Sequence, residues 1–152
     1  MLNLFHSGLV FTMAGLMTFT GKNFNQDNQG IEGHVYRISG NQMPSPDLKP
    51  NHPKGIRTTL YVFDLTSLNQ VSRQGQSTFF NSVRTKLVKK VETDSSGYFK
   101  VSLPPGHYSL FVKKDSMYFA NWFDGSDHIA PVEVLPLQVT KIDLKVDYDA
   151  HY

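Results

Sequence analysis

Residues 93–110 read TDSSGYFKVSLPPGHYSL, and the order of residue types in this stretch decides the fold class. Asp94, Ser95, Ser96 and Gly97 form a polar turn whose glycine is free to take a positive φ. Beyond it Phe99, Val101 and Leu103 alternate with Tyr98, Lys100 and Ser102, the period-two pattern of a strand with one buried face. Pro104, Pro105 and Gly106 end that strand, because two prolines remove two ladder donors and the glycine permits a sharp return. Tyr108, Leu110 and Val112 resume the alternation. The stretch therefore predicts a β-hairpin, its second strand running back antiparallel to the first.

The surrounding chain extends this pattern. Residues 31–38 read as a first strand, with Gly33 and Val35 alternating with His34 and Tyr36. Residues 41–55 hold Pro44, Pro46, Pro50 and Pro53, which exclude a helix interior or a central strand and predict a long surface loop. Residues 58–64, TTLYVFD, are β-branched and aromatic on both faces, as an interior strand requires. The polar stretch 65–84 predicts a loop with a helical turn, with Phe79, Phe80 and Val83 packing back on the domain. Lysines intrude on the apolar face of 86–93, which marks an edge strand. Val132 and Val134 form a short strand between Pro131 and Pro136. Finally Ile142, Leu144, Val146 and Tyr148 point one way while Lys141, Asp143, Lys145 and Asp147 point the other. Sheets with one oily face must bury it against another. The expectation is an all-β, seven-stranded antiparallel β-sandwich over residues 31–152.

The spacing T-D-x-x-G-x-F followed by L-P-x-G-x-Y is met by Thr93, Asp94, Gly97, Phe99, Leu103, Pro104, Gly106 and Tyr108, and a G-x-V strand by Gly33, His34 and Val35. On these residues the chain resembles the carboxypeptidase regulatory-like domain, a transthyretin-like Greek-key sandwich, over roughly residues 30–148. The resemblance implies a secreted or periplasmic accessory module of the bacterial cell envelope, non-enzymatic and without a cofactor. The zinc peptidase activity in the family's name belongs to a separate catalytic domain. Two enzymatic relatives of the sandwich fit less well. Hydroxyisourate hydrolases close their site with a Tyr-Arg-Gly-Ser tail, whereas residues 148–152 read YDAHY, and intradiol dioxygenases need a paired-histidine motif that this sequence lacks.

Composition narrows the function classes. With 152 residues, 39% of them hydrophobic and 18% charged, the chain suits one domain with a core of its own. A net charge of +2 with basic and acidic residues interleaved offers no stripe for a phosphate backbone, so nucleic acid is not an expected partner. The absence of cysteine removes disulfides, thiolate metal sites and a cysteine nucleophile. Residues 8–20, GLVFTMAGLMTFT, have the length of a signal-peptide apolar segment and fall short of a membrane span, though residues 1–7 contain no Lys or Arg. Residues 1–30 are accordingly expected to be a leader followed by an Asn- and Gln-rich tether, the competing reading being a segment docked on the sandwich.

No candidate for catalysis emerges. The histidines, His6, His34, His52, His107, His128 and His151, form no H-x-H or H-E-x-x-H arrangement, so no metal site is expected. No G-x-S-x-G marks a nucleophile elbow. Asp124, Gly125, Ser126 and Asp127 read as a tight turn in preference to a calcium loop. The candidate ligand-binding residues are Tyr118, Phe119, Trp122 and Phe123, since flat rings stack on sugar faces or peptide prolines at little entropic cost. Burial of Trp122 between the sheets is the competing and favoured expectation. The partner class is protein or carbohydrate, with a carbohydrate-binding module or a small transthyretin-like enzyme whose site is built from loop His and Tyr residues as alternatives. The second alternative predicts His and Tyr side chains converging in one pocket.

Overall fold

The computed structural model describes residues 28–43 and 52–152. The proposed leader (residues 8–20), His6 and the prolines Pro44, Pro46 and Pro50 lie outside the described residues. Thirteen strand segments occur among the described residues where seven strands are expected, and four of the thirteen are only two residues long. In chain order they are β1 (Gly30–Asn41), β2 (Lys54–Gly55), β3 (Thr59–Asp64), β4 (Val71–Ser72), β5 (Phe79–Phe80), β6 (Ser82–Val83), β7 (Leu87–Glu92), β8 (Tyr98–Ser102), β9 (Gly106–Lys114), β10 (Met117–Phe119), β11 (Pro131–Val134), β12 (Val139–Lys141) and β13 (Leu144–His151). No described helix is long and apolar enough to cross a membrane.

Two sheets hold eleven of these segments, and β4 and β6 pair separately as a two-stranded ribbon. In sheet I, β1 is central, flanked on one edge by β8 and β2 and on the other by β12 and β13. Sheet II runs β5-β10-β9-β3-β7, with β11 also paired to β9. The inner faces meet in one core. Ile31, Val35, Phe99, Val101, Leu144 and Val146 come from sheet I, and Leu60, Val62, Leu110, Val112, Phe119, Val132 and Val134 from sheet II, all buried. Burying each such side chain contributes about 1.5–3 kcal/mol, so this layer is the principal source of stability. The all-β sandwich read from alternation is the observed architecture.

Two expectations are corrected. Pairing is antiparallel throughout sheet II, but β1 runs parallel to both β12 and β13, so the sandwich is mixed. The hairpin predicted for 98–112 does not form: β8 pairs with β1 through Gly33↔Phe99 and Ile31↔Val101, whereas β9 pairs with β3, β10 and β11. The Pro104-Pro105-Gly106 turn is thus an arch that carries the chain from sheet I to sheet II. Alternation gives each strand a buried face and does not say which neighbour shares its ladder.

The family-like residues have local work in these arches. The Thr93 hydroxyl, in a 2% exposed residue, donates to the Ile56 carbonyl at 2.7 Å and accepts from the Thr58 N–H at 2.7 Å. Asp94 Oδ1 accepts from the Ser96 N–H, the Ser96 hydroxyl and the Tyr98 N–H at 2.8, 2.6 and 3.0 Å. The Ser96 hydroxyl bond is the largest of the effects that hold its carboxyl below the ordinary value. Gly97 has φ +85°, and a Cβ there would lie 2.4 Å from the Val35 carbonyl oxygen, so both conformation and space demand glycine. On the second arch the buried Tyr108 hydroxyl donates to the Pro104 carbonyl at 2.8 Å, fixing the crossing.

The stretch 65–84 behaves as its sequence indicates. A 3-10 turn at Leu68–Gln70 leads into the small β4-β6 ribbon, and β5, between its two strands in the chain, joins the edge of sheet II. Phe80 is fully buried, with Phe79 and Val83 partly buried against the core. This segment roofs the outer face of sheet II, where Phe80 and Phe63 meet Phe111 edge-on at 5.8 and 5.6 Å between centroids. β9 is consequently buried on both faces from Tyr108 to Val112, not on one. The expected edge strand is β7, at the end of sheet II. The last expected strand is interrupted at Ile142 and Asp143, which separates β12 from β13.

Candidate functional site

The four residues singled out from sequence do not form one surface. Phe119 belongs to the core at 2% exposure. Tyr118 lies on the outer face of sheet II, edge-on to Tyr61 and Phe63 at 5.3 and 5.4 Å. Trp122 and Phe123, each 37% exposed, sit in the connection between β10 and β11. Burial of Trp122 between the sheets is not observed, because Leu110, Val112, Phe119 and Val146 already fill that space and the indole borders it from outside. Asp124 closes the following turn: its carboxylate accepts from the Ser126 and His128 N–H groups at 2.8 and 2.9 Å and lies 2.7 Å from the His128 ring. That ring contact, foremost, lowers its pKa.

A different cluster stands on the outer face of sheet I. Period-two geometry puts Glu32, His34 and Tyr36 on the solvent side of β1, and the β1-β8 register sets Tyr98 directly across from His34. The His34 ring lies parallel to Tyr36, with centroids 5.5 Å apart at 17°, and tilts against Tyr98 at 5.4 Å and 60°. Asp143 enters where β12 and β13 are separated: its Oδ1 accepts from the His34 N–H at 2.9 Å and lies 3.6 Å from the ring Nδ1. Glu32 accepts from the Tyr98 hydroxyl at 3.4 Å and faces Lys141 Nζ at 3.5 Å.

Gly33 makes this arrangement possible. A Cβ at that position would lie 1.8 Å from the Ile142 carbonyl oxygen, so only glycine lets the chain at Ile142 approach β1. The result is an open cleft of about 400 Å³ lined by Glu32, Gly33, His34, Tyr98, Lys141, Ile142 and Asp143. It combines ring faces, two carboxylates and an ammonium on strands whose opposite faces are locked in the core. Such a surface can stack a flat ligand and exchange hydrogen bonds at its rim.

The sequence carried part of this signal. Glu32-x-His34-x-Tyr36 and Tyr98-x-Lys100 each declare a shared face, but the pairing of β1 with β8 is a tertiary fact. The other described histidines are dispersed: His52 is exposed just before β2, His107 lies 3.9 Å from Glu133, His128 belongs to the Asp124 turn, and His151 ends β13. Among the described residues no three His, Asp or Glu side chains are grouped to hold a metal ion. No protein-family model and no curated protein matches the chain.

Proposed function

We propose that this chain is an exported, non-enzymatic binding module of the carboxypeptidase regulatory-like type, with an accessory role at the cell envelope. The observation that carries this reading is the His34 face: three rings and three charged groups held at fixed spacing on a sheet whose other side is core. The geometry suits recognition, since strands position side chains rigidly and a preorganised surface loses little entropy when a partner docks. The residue pattern of the two arches supports the family, and the apolar segment 8–20 supports export. Protein and carbohydrate partners are both served by such a face. The exposed Trp122 and Phe123 favour carbohydrate as the second, narrower reading.

Sedimentation with an envelope fraction of the source cell tests the proposal. The wild-type chain should co-sediment, and Tyr36→Ala/Tyr98→Ala should lower retention about tenfold, the loss expected when two stacked rings are removed. Equal retention of the two proteins, or recovery of the chain with residues 1–30 intact from the cytoplasmic fraction alone, contradicts it.

A further inference from the structure

At the end of the sandwich where β1 begins, two uncharged loops lie side by side. One is the arch Leu103-Pro104-Pro105-Gly106, and the other, between β11 and β12, is Leu135-Pro136-Leu137-Gln138. The register of β9 and β11 pairs Gly106 with Val134, so the next step along sets Pro105 beside Leu135. Gln29 ties the loops together: its side-chain amide donates to the Leu103 carbonyl at 2.9 Å and accepts from the Leu137 N–H at 3.0 Å. Pro104, Pro105, Leu135, Pro136 and Leu137 are all exposed, Leu137 to 72%.

The conformation of Leu137 is one that leucine rarely adopts. The Gln138 N–H closes a turn onto the Leu135 carbonyl at 3.3 Å, with Pro136 second and Leu137 third at φ +57°, a position that glycine or asparagine ordinarily fills. A large apolar side chain held there in water gains nothing inside the fold that would offset its strain. The polar groups of the tip, in contrast, are turned inward. Pro104, Pro105 and Pro136 have no N–H, while the N–H groups of Leu103, Leu137 and Gln138 and the carbonyls of Leu103, Pro104 and Leu135 are bonded within the domain.

We infer that this tip docks on a lipid surface, with Leu135 and Leu137 entering at the boundary between headgroups and acyl chains. A protein partner would need roughly one hydrogen bond for every 100–200 Å² of interface, and these loops offer few. A bilayer asks for none and penalises every backbone group left unbonded. The chain outside the described residues favours the same occupant. It reaches the domain at Gln29, and residues 21–28 can separate the tip from the uncharged segment 8–20 by no more than about 30 Å, so a segment drawn to lipid presents this end first. Behind the loops stand the exposed Lys89, whose Nζ donates to the Ser102 carbonyl at 3.3 Å, and Lys100, placed to reach headgroup phosphates; Glu32 and Glu133 already face Lys141 and His107. The inference rests on the reading of the chain as exported to the envelope, but its site is separate from the His34 face.

Flotation of the full chain with vesicles of equimolar phosphatidylethanolamine and phosphatidylglycerol tests the inference. Wild-type protein should float with the vesicles, and Leu135→Gln/Leu137→Gly should lower its partition coefficient at least about tenfold, the loss expected when two leucine side chains stay in water. Met43→Gln, which removes an exposed apolar side chain beyond the opposite end of β1, should leave binding unchanged. Leu137→Gly alone should weaken binding with an equal or higher Tm, since glycine suits the positive φ; a lower Tm would give Leu137 a role in the fold and overturn its assignment. Absence of vesicle binding, binding that the tip variants do not weaken, or a wild-type dimer that they dissolve into monomers without lipid overturns the docking site. Envelope retention that still depends on Tyr36 and Tyr98 would then leave the module reading standing, whereas loss of both removes both.

Discussion

The two outer faces of this sandwich are built from the same kind of alternating strand and have opposite fates. On sheet I the outward row Glu32, His34, Tyr36 and Tyr98 stays open, with Tyr98 38% exposed. On sheet II the outward row Phe63 and Phe111 is sealed by the 65–84 segment, leaving Phe111 fully buried. The contrast teaches that the residues of an outward row determine whether a sheet needs a second cover. Phenylalanines on the outer face of β3 and β9, whose inner faces are also apolar, demand one, and the chain supplies it through Phe80; a row of His, Tyr and Glu tolerates water and remains available to a partner.

Truncation at the centre of each row should break this comparison most visibly. Phe111→Ala, which removes a ring packed against Phe63, Phe80 and Tyr118, should destabilise the protein by about 3–5 kcal/mol in denaturant unfolding. Tyr36→Ala on the open face should cost at most about 0.5–1 kcal/mol. Similar losses at the two positions would mean that the faces are equivalent. Gly33→Ala tests the backbone beneath the open face: the added Cβ must displace the Ile142 carbonyl, and a loss of about 2–3 kcal/mol is expected, with chemical shifts changing at Asp143 and Tyr98.

The attachment of the roof gives a smaller effect. Thr66 is fully buried; its N–H donates to the Ser109 hydroxyl at 2.9 Å, and its own hydroxyl donates to the Asp64 carbonyl at 2.7 Å and lies 2.6 Å from Thr85 Oγ1. Thr66→Val keeps the shape and the backbone bond to Ser109 but strands the Asp64 carbonyl and the Thr85 hydroxyl, so a loss of about 1–3 kcal/mol is expected, with faster amide exchange across 65–84 and unchanged exchange in β1.

At one end of the sandwich, outside both rows, Asp149 sits between Lys114 at 2.9 Å and Arg37 at 2.6 Å. The Lys114 hydrogen bond foremost, with the adjacent Arg37 guanidinium adding to it, holds its carboxyl below the ordinary value. A lowered folded value means that the contribution is complete above the ordinary carboxylate range and is lost as pH falls through the folded value. The Tm difference between wild type and Asp149→Asn should therefore be constant near neutrality and shrink on acidification below about pH 4, the ordinary carboxylate region. A gap that widens in acid would contradict the pairing.

Much of the layered fold is legible in the sequence because burial leaves a period. Phe99, Val101 and Leu103 announce a buried face, the four-residue polar turn before them announces the first arch, and Phe79-Phe80 announces a segment returning to the core. Pairing partners are not legible, since Phe99 would alternate in the same way beside β9 as beside β1. The candidate site was half legible for that reason: Glu32, His34 and Tyr36 share a face on inspection, whereas the juxtaposition of Tyr98 with His34 and of Asp143 with both depends on register and on the approach allowed by Gly33. Trp122 misled because large rings are expected inside, and here smaller side chains had already filled the inter-sheet space.

Backbone cross-strand nuclear Overhauser contacts of β8 test the central claim most directly, because the division of the signature stretch between two sheets creates both faces. The account predicts contacts of Phe99 with Gly33 and of Val101 with Ile31, and contacts of Leu110 with Val62 from the other sheet. A continuous ladder between 98–102 and 106–112, the hairpin that the sequence alone suggests, would contradict it.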